Sequence, residues 1–214
     1  MKDILNIAKL NYLLIKPYQN TLLKTLIIPI IFTAINRSLI SGISFAMFMM
    51  AMTSVYTFQI EEKNQMSRLF SLIPSERPKL VIGRYFFVLL TGLAAWIFSI
   101  ISNSVLLRIE GVALSGETVL IASLTGLLLY LIYISFQLPG FYKYGAIRGR
   151  TFVYIPVIGF LLLFVLIERT GSGFLTIFEG MNEGFLIAVL IICVVLLFLG
   201  SCMISIRIYK KKEF

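Results

Sequence analysis

Few side chains in this sequence could do chemistry, and their types narrow the options at once. The 214 residues include no histidine and two cysteines, Cys193 and Cys202. Zinc proteolysis and imidazole-ligated haem both need histidine, so neither is available. The cysteines share one apolar run. On a helix their separation is about 13.5 Å along the axis, too far for a disulfide, so packing is the expected use. Glu61-Glu62 offers adjacent carboxylates, but acids placed just ahead of a helix serve as solvated charges or as partners of its dipole. Gly145-Ala146-Ile147-Arg148-Gly149-Arg150-Thr151 has some residues of a phosphate-binding loop without its spacing or its lysine. It reads as a basic loop against anionic lipid. A chain with this inventory is not expected to be an enzyme, to bind a cofactor or metal, or to hydrolyse ATP by itself.

The elements that must position these groups follow from composition. Hydrophobic residues make up 59% and charged residues 14%, and the mean hydropathy is +0.96. One soluble core of this size could not hide so much apolar side chain. A bilayer removes that difficulty. The formal net charge of +9 is of a size seen in nucleic-acid binders, but the basic residues sit at the ends of apolar runs. That placement suits a membrane surface and excludes a nucleic-acid face.

The sequence predicts an all-α membrane protein, a single transmembrane domain over 1–214 with six transmembrane helices. The spans are expected at about 22–35, 39–58, 85–107, 119–138, 152–167 and 185–206, each near the length a bilayer requires. Residues 1–16 carry Lys2, Asn6, Lys9 and Lys16 on one stripe opposite a wide apolar face, which predicts an N-terminal interfacial helix ended by Pro17. With Lys9, Asn11 and Lys16 interrupting it and no small-residue cleavage site after it, this stretch is not expected to be a signal peptide. Pro139-Gly140 is expected to close the fourth span. Of the 19 Lys and Arg, all but Arg37, Arg108 and Arg169 fall on one side of that arrangement. The positive-inside rule then places both termini in the cytoplasm, which requires an even number of spans.

The longest polar stretch, 59–84, reads QIEEKNQMSRLFSLIPSERPKLVIGR. Met66, Leu69, Phe70 and Ile73 fall at i, i+3, i+4 and i+7, one apolar face of a short amphipathic helix. Glu61 and Glu62 precede it and Pro74 stops it. Such a helix either lies flat on the membrane or plugs into a groove on a soluble partner. Within the second span, Phe45, Met49, Met50 and Met52 form the candidate lining of a path for an apolar or amphipathic cargo, since methionine adapts to varied shapes.

Three stretches, "LFSLIPSERPKLVIGRYFFVLL", "LPGFYKYGAIRGRTF" and "SIRIYKKKEF", resemble permeases of the type-2 ABC exporter family, in particular its small bacterial six-helix members. Leu72-Ile73-Pro74-Ser75-Glu76-Arg77 and then Gly83-Arg84 stand where that family often has a "LP-S-R" motif followed by "GR". Ile73 and the inserted Glu76 depart from that form. The resemblance implies a bacterial cell-membrane transport subunit without its own motor. It would pair with a second permease copy or a paralogue and present a cytoplasmic coupling helix to a separate ATP-binding subunit. Met66, Leu69, Phe70 and Ile73 would then pack into that subunit, with Glu61, Glu62 and Arg68 making polar contacts. Residues 174–178 would match a short re-entrant segment before the last span. The implied function is export of a hydrophobic or amphipathic cargo such as a peptide, an antimicrobial or a drug-like molecule. A vitamin-type importer subunit and an ion-coupled transporter are the alternatives. The second usually needs ionisable groups at mid-membrane, and spans two to six have none in their centres.

Overall fold

A computed structural model describes residues 2–64, 66, 77–170 and 183–211, and every element among them is helical. Helix α1 (Lys2–Ile15) leads through a short 3₁₀ turn (Lys16–Tyr18) into α2 (Gln19–Asn36). Pro17 lies in that turn, where its missing N–H is of no consequence. Arg37 takes the left-handed conformation at φ 50°, and its N–H donates to the Thr33 carbonyl at 2.8 Å. Ser38 then caps α3 (Leu39–Thr53). At Ser54 the helix tightens, the Ser54 N–H donating to the Ala51 carbonyl, and continues as α4 (Val55–Lys63). Next come α5 (Arg77–Ile109), a turn with Gly111 at φ 77°, and α6 (Gly116–Gly149), capped by Ser115 with Glu117 in its first turn. A second 3₁₀ turn (Arg150–Val153) leads to α7 (Tyr154–Thr170), and α8 (Glu183–Lys211) follows.

Four stretches are long and apolar enough to cross a bilayer: Leu39–Lys63, Arg77–Ile109, Gly116–Leu162 and Gly184–Lys211. A fifth arises if Asp3–Thr21 and Lys24–Asn36, which meet at 50°, count as one bent span. The chain is therefore multi-pass. The fourth expected span and most of the fifth fall within the single stretch Gly116–Leu162, and α6 does not stop at Pro139-Gly140 as expected. It runs on to Gly149, with its break at Gly145. Proline is tolerated inside membrane helices where neighbours support the freed carbonyl. Here Gly140 also lets the Phe152 ring lie close, a Cβ there falling 2.7 Å from Phe152 Cγ.

Helix α5 is the hub, packed on α1, α2, α3, α6 and α8. Small residues let the backbones approach and buried polar groups bond across helices, the usual arrangement where no hydrophobic force drives helices together. Tyr85 Oη lies 2.8 and 2.7 Å from the Ser201 and Ser205 hydroxyls, joining α5 to α8. Trp96 Nε1 donates to the Ser123 carbonyl at 2.9 Å, and Tyr130 Oη donates to the Val88 carbonyl at 2.7 Å. Both join α5 to α6. Thr33 Oγ donates to Asn103 Oδ1 at 2.9 Å, joining α2 to α5. The outward surface is greasy: of the most apolar stretch of α8 only 11% is buried, and Ile192, Leu196 and Met203 face outward. Cys193 is exposed on the same helix and Cys202 half-buried, both free thiols.

The Tyr130 ring lies directly over Gly92, where a Cβ would run into it. Replacing Gly92 with Leu should displace that ring, lose its bond to Val88, and cost about 1–3 kcal/mol. Thermal unfolding of the detergent-purified protein should show a lowered transition, whereas Ile97→Leu, at an outward position, should leave it unchanged.

Candidate functional site

The residues at the lysine- and arginine-rich end of the bundle build upward from one charge. Arg84 lies in α5 and is buried. A guanidinium stays ionised in any protein setting, so burial demands an anion and hydrogen bonds. Glu61, near the end of α4, supplies the anion, its Oε2 2.7 Å from Arg84 Nη2. Arg84 Nε donates to Asn11 Oδ1 of α1 at 3.3 Å. The Phe58 ring centroid lies 4.4 Å from the guanidinium carbon, and that of Tyr142 5.8 Å, within reach of cation–π attraction. Asn11 is held in turn, its Nδ2 donating to the Ile7 carbonyl at 2.9 Å. Gly83, the neighbour of Arg84, keeps the way clear for α1, since a Cβ there would meet Ile7 Cγ2 at 2.6 Å.

Further contacts close the same end. Lys79 and Asp3 form an exposed pair at 3.4 Å between α5 and α1. Arg77 Nη1 donates to the Lys210 carbonyl at 3.0 Å, and Tyr209 meets Tyr142 edge-on at 5.6 Å. Five helices, α1, α4, α5, α6 and α8, thus converge on the Arg84–Glu61 pair.

Glu62 grips a different helix. Its Oε1 accepts from the Ala146 N–H at 2.7 Å, where α6 restarts after Gly145. Gly145 sits at φ 79°, ψ −178°, a conformation suited to glycine. A Cβ there would also collide with the Glu62 carboxylate. The carboxylate serves the new helical turn as an N-cap supplied from elsewhere in the chain.

Glu61 is therefore not the solvated charge that its neighbourhood suggests: its side chain is 13% exposed and its contacts are internal. Met66 is half-buried. Arg68, Leu69, Phe70 and Ile73 lie outside the described residues, as do 174–178. Asn11, Phe58, Tyr142 and Gly145 belong to the network without having been singled out for it, and Arg84 was noted only as part of a motif. One signal was available. Glu61 ends one apolar run and Arg84 begins the next, so in adjacent antiparallel helices the two meet at the same depth.

A second feature lies beside this network. A cavity of about 510 Å³, open along one side, has Met49 and Met52 of α3, Tyr56 of α4, Gln137 of α6 and Tyr154 of α7 in its walls. Gln137 is buried. Its Nε2 contacts Met52 Sδ at 3.6 Å and its Oε1 accepts from Ser54 Oγ at 3.5 Å. Of the four residues proposed for a cargo path, the structure brings together Met49 and Met52. The Phe45 ring stacks on Phe32 at 4.7 Å, and Met50 turns inward, its Sδ taking a 3.4 Å contact from Thr53 Oγ. Among the described residues no group of three or more His, Cys, Asp or Glu could hold a metal.

Comparison with known families bears on what such a bundle is for. A model described as ABC-2 family transporter protein matches residues 6–210. The chain belongs to this ABC-2 family. No curated protein and no solved structure matches it. Membership makes it a membrane subunit of an ABC transporter, a class that generally carries out no catalysis itself and works with an ATP-binding subunit. The match covers Asn11, Phe58, Glu61, Glu62, Arg84, Tyr142 and Ala146, so the ion pair, its immediate neighbours and the Glu62 contact lie within the family domain.

Replacing Glu61 with Gln should leave the buried Arg84 guanidinium without its anion and destabilise the protein by about 3–5 kcal/mol. The double variant Glu61→Gln/Arg84→Met should recover much of that loss. Thermal unfolding of wild type, both single variants and the double variant measures the coupling; additive effects would remove the pair as a stabilising unit.

Proposed function

We propose that this ABC-2 subunit is an exporter permease, moving a hydrophobic or amphipathic cargo such as a peptide or drug-like molecule out of the bacterial cell. A separate ATPase subunit supplies the energy. The single observation that carries the reading is the double grip of Glu61 and Glu62. These acids stand at the head of the 59–84 loop, and through Arg84 and Ala146 they tie it to α1, α5, α6 and α8. A pull on the loop is thereby delivered to most of the bundle at once. ATP binds to the partner, and this chain holds no cofactor.

The same reading gives six passes, with both termini and the Glu61–Arg84 network on the cytoplasmic side. Gly116–Leu162 supports the count: its 47 residues would reach about 70 Å as a straight helix, over twice the hydrocarbon thickness. The break at Gly145 and the 3₁₀ turn at Arg150–Val153 divide it into two. Helix α7 packs chiefly on that turn and on α6 and leaves Ile158, Leu161 and Leu162 outward. These outward apolar side chains suit pairing with a second permease copy or a paralogue within the lipid.

Replacing Leu69 and Phe70 together with Asp should release the ATPase subunit and lower its stimulated turnover at least tenfold, while membrane insertion stays normal. Copurification from membranes, with ATPase activity measured on the eluate, tests this. Full copurification and full turnover would refute the coupling assignment.

A further inference from the structure

The 510 Å³ cavity does not stand alone. Beside it lies a second, of about 540 Å³, which shares the Tyr56 side chain and extends past Tyr18, Gln59 and Lys63 to Ile147. Tyr56 stacks on Tyr18 at 6.2 Å. The two cavities form one groove along α4, within the volume range typical of small-molecule sites.

Its chemistry is asymmetric. Met49, Met52, Val55 and Tyr154 make one end apolar, with the Gln137 amide at the back. That amide has two donors and an acceptor oxygen with two lone pairs, and its two partners lie at the far limit of contact, 3.5 and 3.6 Å. Arg150 also lines this cavity, and Lys63 the adjoining one. Both are exposed. Neither forms an ion pair among the described residues. The one carboxylate in the groove walls, Glu62, already accepts from the Ala146 N–H. Among the described residues the groove therefore presents two cations outside any ion pair and one carboxylate already holding a backbone N–H, beside a methionine-lined wall.

We infer that this groove binds a single-chain anionic amphipath, its carboxylate or phosphate at Arg150 and its chain against Met49 and Met52. The charge balance, two cations against one carboxylate, favours an anionic head over a cationic one, and the polarisable thioethers fit chains of differing shape. The inference rests on the transport reading and sharpens it: the cargo class, or its entry step, is an anion joined to an apolar chain.

Fluorescence titration of the full-length permease in zwitterionic nanodiscs tests the inference, with 11-(dansylamino)undecanoic acid and its methyl ester as probes. The acid should bind saturably and more tightly than the ester. Arg150→Gln should weaken the acid about three- to tenfold, as for a partly exposed charge-assisted bond, and leave the ester unchanged. Arg150→Lys should retain most of the acid's affinity. Met52→Trp, which fills the cavity, should abolish binding of both probes, with elution on size exclusion unchanged. Equal affinity for acid and ester, or unimpaired binding to the Met52→Trp variant, would overturn the inference. So would displacement of the probe by phosphatidylglycerol in the nanodisc, which would make the groove a seat for two-chain membrane lipid. The titration needs no ATPase subunit, so its failure would leave the exporter reading standing, and loss of ATPase copurification would leave the groove's selectivity standing.

Discussion

A buried guanidinium is the constraint on which the rest of this structure depends. Removing a charge of that size from water is unfavourable by several kcal/mol even after relaxation. Everything around Arg84 offsets that penalty: a carboxylate at 2.7 Å, an amide oxygen at 3.3 Å and aromatic rings at 4.4 and 5.8 Å. Each of these groups comes from a different helix from Arg84. To satisfy one arginine, the chain must bring α1, α4 and α6 against α5 in one fixed arrangement. An apolar side chain of equal volume would pack as well without dictating which helices meet. The pair therefore specifies the arrangement more than it stabilises it, in the way buried polar groups fix register elsewhere.

The second acid turns that static arrangement into a joint. Glu61 and Glu62 are consecutive, so they cannot move independently, yet they hold different partners. The first holds a side chain in the continuous helix α5. The second holds a backbone N–H at the break in α6. The α5 partner is buried in a continuous helix; the α6 partner follows a glycine at φ 79°, where the backbone can pivot at little cost. Displacing the end of α4 would thus carry α5 bodily while bending α6 at Gly145. The Gly145 break lies between the span and the 3₁₀ turn bearing Arg150, one of the residues that line the groove. On the exporter reading, this is how force applied at the 59–84 loop reaches the cargo side.

How much of this could be read from the sequence depended on whether the signal was periodic or pairwise. Apolar runs are long and self-evident, and helices stand where those runs lie, from Leu39 onward to the last basic cluster. The tight turn at Arg37-Ser38 and the cap at Ser115 are local chemistry and equally visible. Pro139-Gly140 misled because proline and glycine together end helices in water, whereas here the small glycine seats Phe152 and the helix continues. The break lies instead at Gly145, inside a stretch that reads from sequence as a basic loop against anionic lipid. Asn11 looked like an interruption of an apolar face. It is buried because its partner, Arg84, stands 73 residues away, and no local pattern announces such a pairing.

The same distinction explains why two of the four path residues gathered at the cavity and two did not. Phe45, Met49, Met50 and Met52 share one helix, and on a helix near 3.6 residues per turn no single face can hold all four. Met49 and Met52, at i and i+3, share a face; Phe45 lies on that face too, but a turn further along the helix, where its ring stacks on Phe32. Met50 is turned about 100° from Met49 and meets the core, where Thr53 contacts its sulfur. Composition marked the helix, but the wall that completes the cavity comes from Gln137, Arg150 and Tyr154, more than 80 positions later. A sequence rich in methionine and phenylalanine therefore identifies an apolar path only to the level of a helix. Which face carries it is decided by where the second wall stands, and here that wall stands at the break in α6 and the turn that follows.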